Sequence, residues 1–551
     1  MHKLGNKKIK DPVYGYIAIP SEYIKNIIDT PIFQRLRRVI QTSYSPLYAS
    51  ALHNRFAHSL GVFYLGNIVT KRLKNSVVQK AYLEESVVEQ YASTYQLACL
   101  LHDIGHAPFS HTGEIYYKND KFQVSELHSR LCEIILSDEF ENDLPGESES
   151  AAPHEIMSAI IGIKEFDDII GDSENKELFA RCITGYRYAK KSAENDIKNC
   201  FIDMLNSKVI DVDRLDYLIR DAYTSGFATT NIDYMRLLKA ITIIPYQGHY
   251  RIAYRKDAVS IIENVVYAHD AERKWIQNHP VVVYEAYIIK RILENLKENL
   301  NKGKHKLFSE ESLSITGHKL KGGYHISLMC DDDIIYLAKN VFPNQFSKEF
   351  FDRNERRHPV WKSEAEYKAY IGNISTGGEH KDIFMECMEG FNESSIPDHP
   401  VPVVINEKLL DNLLNKYQNK KENDLDNNQL NALKRKLSVC LFLKKYIDIN
   451  KIPFDFIIIP TNMFISNFSK KHLQETLIVF GKSEKSKIKK LGDVCNLLKA
   501  ESAEKDFYYL FYRRQEENEE RSGKIEDIEQ FCEGLFKSVI YPDDELADLE
   551  G

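Results

Sequence analysis

The stretch LLHDIGHAPFSH, residues 100–111, constrains this chain more than any other, because three histidines and an aspartate interrupt otherwise apolar or small side chains. His106 follows His102 by four residues and so shares its face of a helix. Asp103 is adjacent to His102, so one short segment offers two kinds of ligand. A buried carboxylate beside a buried imidazole is costly without a cation or a partner. The segment therefore predicts a buried polar site.

Related side chains stand in three other segments of the sequence. They are Arg55 and His58 in HNRFAHSLGV, His154 in PHEIMS and Asp213 in IDVDRLDY. Imidazole and carboxylate without thiolate suit Mn, Mg, Fe, Ni or Zn rather than a soft metal. The combined set therefore predicts a divalent metal ion as cofactor, with open positions for water and substrate.

Each of these residues alone has an ordinary structural interpretation. A single buried histidine is more often a hydrogen-bonded core residue, Asp213 alone could be a surface acid, and Arg55 alone an ion-pair partner. One His-Asp dipeptide is also weak evidence, since His269-Asp270 is another, which we interpret as structural. Recurrence of the same chemistry in four separated segments favours a functional site.

Composition narrows the class of protein. A chain of 551 residues can form two or more domains. No apolar run reaches the roughly 20 residues of a membrane span, and the beginning MHKLGNKKIKDP does not resemble a secretory signal. Nine cysteines without C-x-x-C pairs suit a reducing environment, so we expect a cytoplasmic protein. The net charge of −8 indicates no general nucleic-acid-binding surface, but it does not exclude local basic pockets.

Hydrophobic periodicity predicts a mainly α protein. Residues 21–240 are mostly of helical pattern, and AITIIPYQGHYRIAYRK then reads as two short strands around Gln247-Gly248. Beyond residue 303 we expect strands in KIPFDFIIIP, ETLIVFG and DFYYLFYRR, mixed with helices. We therefore predict a catalytic core over 1–302 and an α+β C-terminal region over 303–551, for regulation, oligomerisation or partner binding.

In this order the four segments resemble the HD-domain phosphohydrolases, named for their adjacent His-Asp ligands. The closer likeness is to the deoxynucleoside triphosphate (dNTP) triphosphohydrolase branch, which includes bacterial dGTPases and the SAM- and HD-domain enzymes of animals. The stretches DPVYGYIAI, IIDTPIFQRLRRVIQ and VIDVDRLDYLIRDAYTSG extend the likeness to about residue 300. The resemblance implies an HD-domain helical bundle with a small β-hairpin.

The resemblance also implies roles for individual residues. The metal ligands would be His58, His102, Asp103 and Asp213. The catalytic or phosphate-side residues would be Arg55, His106, His111 and His154, and the substrate-binding residues Gln41, Tyr217, Asp221 and His279. Two points stay open: His128 competes with His154 as the third pocket histidine, and Asn278 stands where the family often has glutamine.

Members of this branch are often oligomers activated by nucleotides. The resemblance extends to an allosteric nucleotide site formed by Asp29, Gln34, Arg37, Arg236 and Arg255. An Arg-rich helix such as RLRR is, however, usually a solvated face, and Lys10 departs from the family's smaller polar residue. We expect a homo-oligomer (dimer, tetramer or hexamer) and an activating nucleotide.

Three functions compete at this point. The first is a metal-dependent dNTP triphosphohydrolase that releases deoxynucleoside and triphosphate, with His106 or His111 as proton donor, for dNTP-pool control or antiviral defence. The second is an HD phosphohydrolase acting on another nucleotide or on single-stranded nucleic acid. The third is a nucleotide-sensing scaffold. We favour the first because Tyr217, Asp221 and DTPIFQRLR all match that branch, and because a scaffold needs no set of metal ligands. A P-loop is absent from the sequence.

Overall fold

The structure is a computed structural model of the chain. It describes residues 5–79, 82–117, 125–146, 149–227, 231–303, 306–372, 378–393, 401–420, 425–450, 455–461, 468–481, 487–495, 507–513, 525 and 527–550.

The chain forms two compact units, each assembled from separated segments. The first contains residues 1–276, 293–342 and 465–503. The second contains residues 277–292, 343–464 and 504–551. The division into a catalytic core over 1–302 and a C-terminal region over 303–551 remains a prediction, both in its boundaries and in the functions assigned to the two parts.

Helices dominate the first unit. The long ones are α1 (Arg55–Gln79), α2 (Glu85–Leu101), α3 (Ser125–Ile135), α4 (Pro153–Glu165), α5 (Ser173–Thr184), α6 (Ala193–Leu205), α7 (Val212–Ser225) and α8 (Val259–Glu272). The next helix, α9 (Pro280–Leu300), has residues in both units. Short helices at Pro31–Gln34, His111–Glu114, Tyr234–Lys239 and Asp331–Tyr336 lie between or after them. The predicted mainly α class is confirmed.

Local sequence explains where α7 begins and ends. The Asp211 side chain accepts the Arg214 backbone N–H and so caps the first turn. Gly226 ends the helix in the left-handed conformation, at φ 70°.

A glycine in α1 allows α7 to pack closely. A Cβ at Gly61 would lie 1.8 Å from Asp216 Oδ1 and 2.4 Å from Arg220 Nη2, so only a residue without a side chain fits. This close approach places two polar side chains of α7 against the first turns of α1.

The described part of the first unit also contains three small sheets. Strands β1 (Asn6–Asp11) and β2 (Gly15–Pro20) form an antiparallel hairpin. The predicted hairpin is confirmed as β3 (Ile241–Tyr246) and β4 (His249–Arg255), joined at Gln247 and Gly248, both with positive φ. Strand β5 (Leu477–Phe480) pairs in parallel with β4, and β6 (Lys487–Lys490) pairs with β5. Two-residue strands His318–Lys319 and His325–Ile326 also pair.

The second unit contains a four-stranded antiparallel sheet. Its order is Val404–Ile405, Phe456–Pro460, Tyr508–Tyr512 and His358–Pro359, so the strands expected in KIPFDFIIIP and DFYYLFYRR are confirmed. A further pair joins Asn392–Glu393 to Val401–Pro402. The longer helices are Gly378–Glu389, Glu407–Lys420, Asn427–Asn450, Ile528–Ile540 and Pro542–Glu550.

A buried ion network lies within the second unit. Arg357 donates to Glu349 at 2.7 Å and to Asp455 at 3.0 Å, and the Trp361 indole N–H donates to the Tyr508 carbonyl at 2.8 Å. These contacts fix the loop around His358–Pro359 to the sheet. Within the described residues, no helix has the length and apolar character to cross a membrane.

Candidate active site

Four elements of the first unit supply the polar side chains of the site. Arg55 and His58 lie on the first turn of α1, and His102 directly follows α2. His154 lies on the first turn of α4 and Asp213 on the first turn of α7. Segments far apart in the sequence therefore meet, as the motif analysis predicts.

The predicted metal ligands converge. His58 Nε2 lies 2.9 Å from Asp213 Oδ1 and 3.2 Å from His102 Nε2. Ligand atoms of His58, His102 and Asp213 all lie within 4.8 Å of one another. The Asp103 carboxylate is adjacent, 3.4 Å from His102 Nε2 and 3.6 Å from His58 Nε2.

The hydrogen bonds behind the two imidazoles show that this arrangement suits a cation. His58 Nδ1 donates to Asp216 at 2.7 Å, and His102 Nδ1 donates to the Cys99 carbonyl at 3.1 Å. In the neutral rings both Nε2 atoms then carry lone pairs that face each other, which is unfavourable unless a proton or a metal ion lies between them. Two imidazoles and two carboxylates are a donor set that fits a divalent transition metal or magnesium.

The electrostatics of His58 agree with this interpretation. Burial lowers the pKa of His58, but hydrogen bonds to Asp213 and Asp216 and the charge of Asp103 outweigh it and raise the pKa to about 10. The Asp213 side chain is 39% exposed. Partial desolvation raises the pKa of its carboxyl, but the hydrogen bonds and charges of His102 and His58 outweigh it and hold the pKa well below the usual range. The protein thus stabilises positive charge at this point.

A buried chain of charged groups supports His58 from behind. Arg220 donates to both Asp216 oxygens, at 2.9 and 3.1 Å, and to Asp11 Oδ2 at 2.9 Å. Asp11 also accepts the backbone N–H groups of Val13 and Tyr14, both at 2.9 Å, and so closes the turn between β1 and β2. The N-terminal hairpin is thereby connected to a predicted metal ligand.

A second histidine cluster lies beside the first. The rings of His106 and His154 stack with centroids 4.0 Å apart, and the His111 ring lies 5.2 Å from each. Glu114 accepts from His111 Nδ1 at 2.9 Å and from His154 Nδ1. Burial lowers the pKa of His154, but the Glu114 carboxylate outweighs it and raises the pKa to about 9. Cationic His154 makes this cluster suitable for anion binding.

Arg55 connects the two clusters. Its Nη1 donates to Asp103 Oδ2 at 2.9 Å and its Nε donates to Ser110 Oγ at 2.8 Å. His106 Nε2 lies 3.2 Å from Asp103 Oδ1 on the other side. The arginine therefore places fixed positive charge between the candidate metal centre and the histidines.

The predicted sugar-side residues extend along α7. Asp213, Tyr217 and Asp221 are spaced by four residues and so share one face of the helix. Asp221 accepts from His53 Nε2 at 2.7 Å. Gln41 donates its backbone N–H to the His53 carbonyl at 3.0 Å, and within the described part of the chain its buried Oε1 has no hydrogen-bond partner. An unpaired buried acceptor suits a ligand that donates a hydrogen bond.

Other predicted residues lie elsewhere. His128 contacts the Tyr186 hydroxyl at 2.6 Å instead of the three-histidine cluster, so the structure places His154 there. His279 belongs to the second unit, where its Nδ1 accepts the Val281 N–H at 3.2 Å. Its triphosphate-side role stays a prediction.

The predicted allosteric residues are at the surface. Arg37 donates to Gln34 Oε1 at 2.8 Å and is exposed, as is Asp29. Arg236 and Arg255 are exposed as well. The nucleotide-binding role of this set stays a prediction.

Three contributors to the site were not singled out in the sequence. Glu114 follows His111 by three residues, Asp216 follows Asp213 by three, and His53 precedes Arg55 by two. For Glu114 and Asp216, spacing within the motifs is the signal that could have found them, because a helix places residues three apart as neighbours. His53 precedes the helix that begins at Arg55, so helical spacing does not indicate it.

A comparison with protein families matches the HD domain to residues 55–219. This part of the chain is an HD domain. The match confirms the predicted resemblance to the HD-domain phosphohydrolases and includes the metal-centre residues His58, His102, Asp103 and Asp213. HD domains bind divalent metal ions, and the His/Asp groups here could hold one. Residues 55–219 are therefore similar to an HD domain and contain a candidate metal centre.

Curated relatives share the HD domain at moderate identity. Uncharacterized protein MG461 of Mycoplasma genitalium is 29% identical over 260 residues, 46% of this chain and 52% of that protein. The deoxynucleoside triphosphate triphosphohydrolase SAMHD1 homolog of Dictyostelium discoideum is 30% identical over 247 residues, 44% and 41% of the two chains. SAMHD1 of Danio rerio is 28% identical over 280 residues, 50% and 42%. The chain thus spans about half the length of these relatives.

Proposed function

We propose that this HD domain is a metal-dependent dNTP triphosphohydrolase, which releases a deoxynucleoside and inorganic triphosphate. The observation that carries the proposal is the adjacency of the two histidine clusters through Asp103 and Arg55. One cluster has the donor set for a divalent ion and the other has the charge for a polyphosphate. The names of the SAMHD1 relatives, which are dNTP triphosphohydrolases, support the same substrate class.

His58, His102, Asp103 and Asp213 would hold the ion. Bound there, a divalent ion lowers the pKa of a coordinated water and polarises a phosphoryl oxygen. Arg55 sits beside these ligands and would compensate negative charge that develops on the α-phosphate. The protein thus supplies positive charge on both sides of the bond to be broken.

The second cluster would hold the rest of the triphosphate and move a proton. Cationic His154, kept in place by Glu114, would bind a phosphate oxygen. Among the three histidines we assign the proton shuttle to His111, because its side chain is 57% exposed and exchanges protons with water, whereas His106 is fully buried. His106 would then orient the phosphate between the two clusters.

The sugar would lie along α7. Tyr217 and Asp221 follow Asp213 on the same helix face, so a nucleoside attached to the α-phosphate would contact them next. His53 fixes Asp221. The buried Gln41 Oε1, which has no hydrogen-bond partner among the described residues, would offer an acceptor to the sugar. These groups would distinguish deoxyribose from ribose.

We further propose a regulated, cytoplasmic homo-oligomer that controls dNTP pools or acts in antiviral defence. The surface group of Asp29, Gln34 and Arg37, together with Arg236 and Arg255, would bind the activating nucleotide. Support for this part comes from their exposure and from the Gln34–Arg37 contact.

Product analysis tests the proposed reaction. Purified protein with Mn²⁺ or Mg²⁺ should convert at least one dNTP to deoxynucleoside plus triphosphate, in assays of single dNTPs and of mixtures, since an activator would otherwise be missed. Asp103→Asn should abolish the reaction. Asp270→Asn, in the other His-Asp dipeptide, is the matched control and should retain activity, because Asp270 pairs with Lys470 instead of the metal-centre residues. Release of only pyrophosphate or monophosphate would favour another HD phosphohydrolase reaction.

A further inference from the structure

Asp331 makes an unusual pair of contacts within the first unit. Its side chain is buried, and its two oxygens accept the backbone N–H groups of Ile40 at 2.9 Å and Phe109 at 2.7 Å. Ile40 directly precedes Gln41, and Phe109 lies two residues before His111. One carboxylate therefore joins two backbone segments that carry predicted substrate-side residues.

Arg35 makes the complementary contacts to carbonyl groups. Its guanidinium is buried and donates to the carbonyls of Ile104 at 2.7 Å, His106 at 2.9 Å and Met329 at 2.9 Å. Residues 329–331 are thus fixed to the loop 104–110 by an arginine at one end and by an aspartate at the other. We call Arg35 and Asp331 the loop clamp.

The loop needs such support because its backbone is strained. Phe109 and Ser110 are consecutive non-glycine residues with φ of 58° and 53°. This region is unfavourable for side chains other than glycine and persists where surrounding contacts enforce it. Ser110 Oγ also donates to the Ile40 carbonyl while it accepts from Arg55, so the strained loop sets the position of the arginine.

The carboxylate of Asp331 is costly to bury. Burial raises its pKa to about 7 against the hydrogen bonds from Ile40 and Phe109, with Asp332 raising it further and Arg35 lowering it. If this side chain served only the stability of the fold, a neutral side chain would be less costly to bury than a carboxylate. We therefore attribute the carboxylate to a role in the site.

We propose that the loop clamp is a positioning device for the active site, in which Asp331 and Arg35 fix the backbone around Ile40 and Phe109 so that Arg55 and His111 face the triphosphate and Gln41 faces the sugar. The proposal rests on the proposed function for its substrate. It assigns residues 329–331, outside the matched HD region, to the same catalytic unit.

The central experiment compares Asp331→Asn with Asp332→Asn in the full chain. In the first variant an amide NH₂ must face one of the two backbone N–H groups. The second changes an exposed neighbour that makes only a 3.5 Å surface pair with Arg38. For Asp331→Asn we expect KM for the dNTP to rise about 10- to 100-fold through misplacement of the loop. Mn²⁺ affinity should stay within about twofold of wild type, because no hydrogen bond among the described residues joins Arg35 or Asp331 to a side chain of His58, His102, Asp103 or Asp213.

Two measurements keep the test independent of catalysis. Hydrogen exchange at the amides of residues 104–113 should accelerate in Asp331→Asn while α1 stays protected. Binding of inorganic triphosphate should weaken as KM rises. If wild type hydrolyses no dNTP, the proposed function fails, and these two measurements still decide the clamp.

Other outcomes overturn the clamp. Unchanged KM and triphosphate affinity in Asp331→Asn would do so, as would equal losses of triphosphate and Mn²⁺ affinity, which indicate general damage. If Asp331→Asn does not fold, Arg35→Lys replaces it, since it keeps the charge but loses the three-carbonyl geometry. The same selective rise in KM is then expected, and a wild-type KM rejects the proposal.

Discussion

The carboxylate behind His58 allows a quantitative test of the candidate metal centre. Asp216→Asn keeps the side-chain volume but replaces one carboxylate oxygen by an NH₂ group. If the amide oxygen takes the place of Oδ2, it still accepts from His58 Nδ1 and Arg220 Nε, but the NH₂ group faces Arg220 Nη2, which in wild type donates to Oδ1 at 3.1 Å. In the reverse orientation the NH₂ group faces both His58 Nδ1 and Arg220 Nε. Either orientation therefore removes at least one acceptor of this buried network.

The expected magnitudes follow from these contacts. Loss of a carboxylate that orients a metal-binding histidine lowers metal affinity about 10- to 100-fold, which is about 1.4 to 2.7 kcal/mol. Arg220 retains Asp11 at 2.9 Å, so it is not left wholly unpaired. We therefore expect the free energy of unfolding to fall by about 3 kcal/mol, the lower end of the range for breaking a buried ion pair.

Calorimetric titration with Mn²⁺ measures the change in metal affinity, and urea unfolding in the presence of a chelator measures the change in the free energy of unfolding. Asp11→Asn is the matched control, because it removes the far end of the chain of charges but leaves the His58–Asp216 contact intact. It should lose stability and keep Mn²⁺ affinity. Wild-type Mn²⁺ affinity in a folded Asp216→Asn protein would refute the reasoning that Asp216 orients a metal ligand.

Two further predictions concern packing and pH. Gly61→Ala should reduce the free energy of unfolding by about 1–3 kcal/mol or more and weaken Mn²⁺ binding, because the new methyl group would lie 1.8 Å from Asp216 Oδ1. Gly146→Ala is the control, since Gly146 has open space around it. Thermal unfolding compares the two variants, and equal melting temperatures would contradict the prediction. For Asp331, burial raises the pKa to about 7, so the folded chain keeps a proton that the unfolded chain releases near its ordinary pKa of 3.8. The stability from this group is present below pH 3.8 and lost as pH rises through about 7. Urea unfolding should therefore show that the free energy of unfolding of Asp331→Asn rises relative to that of wild type between pH 3.8 and about 7. Parallel curves of stability against pH for the two proteins would contradict this prediction.

The sequence was informative where the signal was local. The adjacent His102 and Asp103 predicted candidate ligands, which lie directly after α2 and not on a helix. The periodic apolar residues of α7 predicted the helix that carries Asp213. The hairpin of β3 and β4 was predictable because Gly248 favours the positive φ of a tight turn between two apolar strand patterns.

Contacts that depend on packing could not be predicted in the same way. Asp216 could have faced solvent, and its contact with His58 depends on the close approach at Gly61. Asp331 is 222 residues from its partner Phe109, so no local pattern relates the two. Similarly, the division of the chain into interleaved units follows from the return of residues 465–503, which no periodicity signals.

That late return has a consequence for synthesis of the protein. Strand β4 gains its parallel neighbour β5 only after residue 480 has been translated, and Leu477 then covers Ile244 and Ala253. Until then the nascent chain carries an open strand edge beside apolar side chains, a feature that invites association with other chains. An expression fragment that stops near residue 302 keeps that edge permanently, so chaperone capture or insolubility of such a fragment says nothing about the chemistry of its HD domain.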